Sequence, residues 1–90
     1  ADAEKMGMIY KVVADKSLQE EAMAIANKLA KMPTKGIGLT KRLLNESYNN
    51  TLTEQLALEN ELQNIAGKSY DYNEGVNAFL EKRKPNFKGE

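Results

Sequence analysis

Residues 70–89 have the sequence YDYNEGVNAFLEKRKPNFKG, which holds the start, the apolar face and the end of one helix. Asp71 and Glu74 have the spacing of a capping box, in which side chains accept hydrogen bonds from unpaired backbone N–H groups. Val76, Phe79 and Leu80 follow at helical spacing. Because proline cannot continue a helix, we predict a short amphipathic helix that begins at Asp71 and ends before residue 85.

Three consecutive cations close this helix, in the segment KRK at residues 82–84, called here the basic turn. Residues 86–88 beyond it are expected to reach out and dock. In one interpretation, the basic turn and Lys88 bind a phosphate while Phe79 and Phe87 stack on an adenine. In the other, the cations only complement the helix dipole and Phe79 is an ordinary core residue.

Composition limits the classes of function. The 90 residues make one domain at most, with 13 basic and 13 acidic residues. Residues 1–45 carry a net charge of +3 and residues 46–90 a net charge of −3. Without a net positive charge or a continuous basic face, the chain is not expected to bind nucleic acid or an anionic membrane.

The absence of cysteine and histidine excludes several kinds of site. No disulfide, no Cys or His nucleophile and no thiolate or imidazole metal site can form, so we expect no metal and no bound cofactor. Glu59 and Glu61 are the only carboxylates considered for acid–base chemistry, but two residues apart on a helix they point in different directions. We therefore expect no catalytic residue in this chain. With no long apolar run and no signal peptide, the expected location is cytoplasmic.

The N-terminal segment predicts the only strand. Residues 1–6 are typical of a helix end, with Gly7 as its cap. Residues 8–13, MIYKVV, are rich in β-branched and aromatic residues and predict a short strand without a partner. Since the chain also begins without methionine, we expect it to be cut from a longer protein.

Three further helices are predicted between the strand and residue 70. One spans residues 18–31, with a capping box at Ser17, and stops at Pro33. The next begins with Thr34 as its cap, and the third spans residues 52–68 with a capping box at Thr51. The fold class is thus mainly α, with four to five helices and one short N-terminal strand.

Two glycines lie in the first turn of the helix that follows Thr34. Gly36 and Gly38 each cost about 1 kcal/mol in an ordinary helix interior. Either they allow backbone to come close to another surface, or they reflect tight helix packing or a frayed first turn.

Several motifs, in order across nearly the whole chain, resemble the C-terminal part of the crotonase (enoyl-CoA hydratase/isomerase) superfamily. Residues 3–13 are similar to that family's A-x-x-x-G-L-V-x-x-V-V segment, and residues 29–45 to its L-A-x-x-P … K-x-x-(L/I)-N run. Residues 74–89 are similar to its terminal E-G-x-x-A-F-x-(E/A)-K-R-x-P-x-F-x-G. Residues 36–39, 51–59 and 66–76 are most similar to the branch that isomerises ring-epoxidised phenylacetyl-CoA.

The resemblance implies a division of labour. In the family, the oxyanion hole and the catalytic carboxylates belong to a preceding β-rich core, which this chain lacks. The helical C-terminal domain, residues 1–90 here, makes the subunit contacts of a homotrimer or hexamer, covers the acyl pocket and contributes its last helix to the CoA site. By motif match, Lys82 is the CoA contact, with Phe79 beside it. The substrate would be an acyl-CoA thioester, and these 90 residues alone are expected to be inactive.

A different class of protein remains open from the residues alone. A free-standing helical interaction module would bury its apolar faces against a partner helix and use the basic turn only to complement the helix dipole. The unpaired strand and the truncated first helix argue against this alternative.

Overall fold

The computed structural model describes residues 1–90 and contains five α-helices and no β-strand. A four-residue helix precedes four longer ones; residues 6–14 connect it to the next helix, and the longer helices are joined by short turns. The helices are α1 (Asp2–Lys5), α2 (Asp15–Ala30), α3 (Thr34–Glu46), α4 (Leu52–Gly67) and α5 (Tyr70–Leu80). The prediction of a mainly helical chain with four to five helices is confirmed.

The predicted strand at residues 8–13 is wrong. Residues 8–10 form a bend, and residues 11–13 continue as an irregular segment that leads to α2. The chain contains no strand that could pair with this segment, so its backbone groups form no ladder. Side chains hold it instead: Val12 N donates to Oε2 of Glu4 at 2.9 Å, and Lys11 Nζ lies 2.9 Å from Oε2 of Glu21.

Of the four longer helices, only one begins with the cap that the sequence predicted. At α4, Thr51 and Glu54 form the predicted capping box with both reciprocal hydrogen bonds. α2 starts at Asp15, after Ala14, and therefore earlier than the predicted cap at Ser17. α3 begins after Pro33, so Thr34 is its first residue and not its cap.

The start of α5 also differs from the prediction. Its cap is Ser69, whose Oγ accepts from Tyr72 N at 3.1 Å and donates to the carbonyl of Ala66 at 2.6 Å. One hydroxyl therefore joins the end of α4 to the start of α5. Asp71 and Glu74 therefore do not cap α5, and they make other contacts, which are described below.

Helix packing is concentrated in the second half of the chain. α3 packs against α4, and α4 against α5, while α2 contributes no buried residue. Leu62 of α4, 1% exposed, is the largest fully buried side chain. At the joint between α3 and α4, Gln55 Nε2 donates to the carbonyl of Leu43 at 3.2 Å.

The overall shape is a flat slab. Its extents are 42 × 40 × 18 Å and its radius of gyration is 16.8 Å, whereas a compact domain of this length has a radius of gyration of roughly 12 Å. Only four of the 90 residues are buried, and two of those are hydrophobic. Large apolar side chains on every helix longer than one turn therefore remain uncovered. None of the five helices combines the length and the apolar character needed to span a bilayer.

Candidate functional site

The C-terminal turn of α5 ends in a Schellman motif centred on Lys82. The backbone N–H of Lys82 donates to the carbonyl of Phe79 at 3.3 Å, and that of Arg83 to the carbonyl of Ala78 at 3.0 Å. In this motif the first residue after the helix cap adopts a left-handed conformation. That residue is Lys82, with φ 55°. Lys82 and Phe79 therefore lie on the same turn.

The two candidate binding side chains are open to solvent. Phe79 is 82% exposed although it occupies the apolar face of α5. The side chains of Lys82 and Lys84 form no hydrogen bond or ion pair within the chain. The end of α5 thus carries two unpaired cations and an exposed aromatic ring.

Arg83, the middle cation of the basic turn, forms ion pairs with two glutamates. Its Nη1 and Nη2 donate to the two carboxylate oxygens of Glu74, and its Nε donates to Oε2 of Glu81 at 2.6 Å. The side chain of Glu74 is only 10% exposed and also accepts from Asn86 N at 2.9 Å. The hydrogen bonds from Arg83 and then from Asn86 lower the pKa of Glu74 to about 2.

Asp71 holds the tail, defined as residues 85–90. Its carboxylate, in a residue 2% exposed, accepts from the backbone N–H groups of Lys88 at 2.7 Å and Gly89 at 2.8 Å. Asp71 N in turn donates to the carbonyl of Glu90 at 2.9 Å. The tail therefore folds back on α5, which corrects the expectation that residues 86–88 reach out.

Folding of the tail separates the other members of the predicted phosphate and adenine cluster. Lys88 Nζ lies 4.4 Å from the ring centroid of Tyr70, in a cation–π contact. Phe87 is half-buried against Gly75, where an added Cβ would lie 3.6 Å from its Cε1. Of the six predicted residues, the structure leaves Lys82, Lys84 and Phe79 free to meet a ligand.

Two apolar grooves flank α3. The first, about 670 Å³, lies between α3 and α4 and includes Glu59 on its wall. The second, about 460 Å³, lies between the start of α3, α5 and the tail, and Phe79 stands at its edge. Gly36 lines both grooves, and neither Gly36 nor Gly38 has an atom within 4 Å of an added Cβ. Tight helix packing within this chain therefore does not explain the two glycines.

Carboxylates do not converge elsewhere in the chain. No three Asp or Glu side chains come together in a geometry that would hold a metal ion. Glu59 and Glu61 are both exposed on α4 and, at two residues apart, do not face the same side.

The sequence did not predict that Ser69 caps α5, nor that Asp71 and Glu74 hold the closed tail. Glu74 and Arg83 are nine residues apart, and Asp71 and Gly89 are eighteen apart, so no helical spacing links them. The acidic residues were assigned to capping because a local partner was the only one visible. The three cations directly before Pro85 were the one feature of the sequence that could have indicated a partner for these carboxylates.

The enoyl-CoA hydratase/isomerase family model matches residues 1–90. The chain is 49% identical over 87 residues to 1,2-epoxyphenylacetyl-CoA isomerase of Escherichia coli K12, covering 97% of this chain and 33% of that protein. It is 41% identical to a probable enoyl-CoA hydratase of Rhodobacter capsulatus, covering 98% and 34% respectively.

Solved structures of enoyl-CoA hydratases have the same fold over the matched region. A crystal structure of an enoyl-CoA hydratase from Geobacillus kaustophilus superposes with a TM-score of 0.89 at 34% identity, covering 99% of this chain and 34% of that one. An enoyl-CoA hydratase from Polaromonas sp. JS666 gives a TM-score of 0.85 at 32% identity, covering 97% and 34%. The chain spans about a third of the length of these relatives. With the family model matched over its full length, the chain belongs to the enoyl-CoA hydratase/isomerase family.

Proposed function

We propose that these 90 residues form the C-terminal helical domain of a larger enzyme that acts on acyl-CoA thioesters. The flat slab supports this proposal, because its uncovered apolar faces need a body to pack on. That body would be an upstream core of the same polypeptide. The remaining faces would make the subunit contacts of a homotrimer or hexamer.

The domain's own contribution would be part of the CoA site. The observation that carries this is the exposed Phe79 ring on the same turn as the unpaired Lys82. The nucleotide of CoA bears phosphates and an adenine, so a cation can pair with the 3′-phosphate while the ring stacks on the base. CoA enters as part of the substrate and not as a separate cofactor.

Chemistry would be supplied by the rest of the enzyme. In a CoA thioester, charge develops on the carbonyl oxygen as an enolate forms, and backbone N–H groups aimed at that oxygen stabilise it. No catalytic acid or base is assigned to these residues. Isomerisation of 1,2-epoxyphenylacetyl-CoA is the favoured reaction, since that enzyme has the higher identity of the two relatives compared above. Hydration of an enoyl-CoA is the alternative reaction.

Steady-state kinetics of the full-length protein tests this proposal. Ring-1,2-epoxyphenylacetyl-CoA and a trans-2-enoyl-CoA would be compared as substrates, each beside its pantetheine thioester, which lacks the nucleotide. Lys82→Asn keeps a residue that tolerates a left-handed backbone but removes the cation. We expect KM for the CoA thioester to rise about tenfold, as for loss of one charge-assisted contact.

The controls separate a nucleotide contact from a general defect. Lys28→Gln removes an exposed cation of α2 that forms no ion pair and should leave KM unchanged. KM for the pantetheine thioester should not respond to Lys82→Asn. Absence of turnover on both CoA thioesters would contradict the proposed activity.

The alternative is a helical interaction module without catalysis. The same uncovered helix faces favour it, because they would suit a partner protein equally well. The two proposals differ in their ligands: a module would bind no CoA, and Lys82→Asn would change none of its properties.

A further inference from the structure

Lys82 occupies a backbone conformation that is unusual for its residue type. At the left-handed position that ends a helix, glycine is the common residue, because other L-residues place their Cβ against the following carbonyl oxygen. Lys82 is the only residue other than glycine with positive φ in this chain. Such a conformation persists only where its surroundings hold it in place.

Glu74 is the side chain that holds this turn. It binds Arg83, directly after Lys82, through both carboxylate oxygens, and it binds Asn86 N on the other side of Pro85. One largely buried carboxylate therefore fixes the chain at two points immediately following Lys82.

We propose that Glu74 is a positioning residue for the CoA site, which engages Arg83 so that Lys82 is presented as a free cation beside Phe79. The inference rests on the proposed function. Glu74 would never touch the ligand. Its effect on binding would pass entirely through the geometry of Lys82.

Preorganisation gives the direction of the expected effect. With Arg83 paired to Glu74 and Glu81, the cations left for an anion are Lys82 and Lys84. If the turn were released, Lys82 would populate the presenting conformation for only a fraction of the time. The apparent affinity falls by that fraction.

Calorimetric titration of the full-length protein with adenosine 3′,5′-bisphosphate, the nucleotide part of CoA, measures this effect. We expect Glu74→Gln to weaken binding about tenfold, if release leaves the turn correctly placed for roughly a tenth of the time. Glu81→Gln is the matched control. Glu81 also pairs with Arg83, but it is exposed and accepts no hydrogen bond from the tail, so its variant should bind as the wild type does.

A double-mutant cycle with Lys82→Asn distinguishes positioning from a merely structural role. If Glu74 acts through Lys82, Glu74→Gln should have no further effect on affinity in the Lys82→Asn protein. Two effects that simply add would overturn the inference and leave the proposed function intact. Full affinity in Lys82→Asn alone would overturn the proposed function, and this inference with it.

A second variant covers the case in which Glu74→Gln lowers the helical circular dichroism signal. Arg83→Lys keeps the charge but cannot bind both oxygens of Glu74 in the same plane. It should also weaken nucleotide binding, and only when Lys82 is present. Unchanged affinity in this variant would overturn the inference.

Discussion

Gly89 and Gly7 both have left-handed backbones, with φ of +77° and +73°, but their surroundings differ. An added Cβ at Gly89 would lie 2.5 Å from Oγ1 of Thr34, whereas one at Gly7 would meet nothing within 4 Å. Gly89 is thus confined both by its conformation and by the start of α3. A side chain at position 89 would overlap Thr34, so the tail needs glycine there to fold back on the helices.

Alanine substitutions at these two glycines should separate backbone strain from steric overlap. Each should cost about 1–2 kcal/mol for the left-handed conformation, and Gly89→Ala should cost more because Thr34 is in the way. Thermal denaturation of the full-length protein would show a larger fall in Tm for Gly89→Ala. Adding Thr34→Ala to Gly89→Ala should recover part of that difference. Equal falls for both glycines would contradict the tail contact.

The ionisation of Glu74 sets the pH range in which its contacts with Arg83 and the tail are stable. Its pKa is lowered from 4.5 to about 2, because Arg83 and then Asn86 donate to the charged carboxylate. A lowered pKa means that the contribution to stability is complete above pH 4.5 and disappears as the pH falls through 2. The contacts of Glu74 should therefore be intact at pH 5.

The carboxyl carbon chemical shift of ¹³C-labelled Glu74, followed from pH 7 downward, measures this pKa directly. We expect a midpoint near 2. In an Arg83→Gln variant, which removes the first cause of the shift, the midpoint should move toward 4.5. A wild-type midpoint near 4.5 would show that the carboxylate is not engaged.

At the scale of elements, α4 is the centre of the packed region. Leu62 is its fully buried side chain and also lines the groove between α3 and α4. Leu62→Ala should lower the free energy of unfolding by about 2–5 kcal/mol, because it removes buried methyl groups and leaves a cavity. The volume-conserving Leu62→Met should cost less than about 1.5 kcal/mol. Chemical denaturation followed by circular dichroism would rank the two variants, and similar losses would contradict the packing of α4.

Helices were predictable from sequence because their signals are local. Apolar periodicity and Pro33 placed α2 and α3, and the reciprocal pair at Thr51 placed the start of α4. Residues 8–13 have strand propensity but no neighbouring strand, and propensity depends on such context. The closed tail was not predictable, because Asp71 and Glu74 satisfied a local rule while their partners lay nine to eighteen residues away.

The candidate site was predictable in part for the same reason. Lys82 and Phe79 could be singled out because they sit three residues apart in one motif. Their joint exposure, and the removal of Arg83, Lys88 and Phe87 from the surface available to a ligand, depend on how the tail folds. Only the three-dimensional arrangement separates the free cations from the paired one.

At the scale of the whole molecule, the two halves of the sequence carry opposite net charges, and the slab has few buried residues. A chain that buries so little apolar surface cannot offset the conformational entropy lost on folding. The family relatives are about three times as long. We propose that the missing buried surface lies in the remainder of a longer polypeptide.

The mass of the native polypeptide in the source cells, detected with an antibody raised against these 90 residues, tests that claim most directly. Because the chain covers 33% of its epoxyphenylacetyl-CoA isomerase relative, we predict a band at roughly three times 10.1 kDa. A band at 10.1 kDa would contradict the account. The slab would then have to find its covering surface in another protein, and the proposed enzyme would have no core.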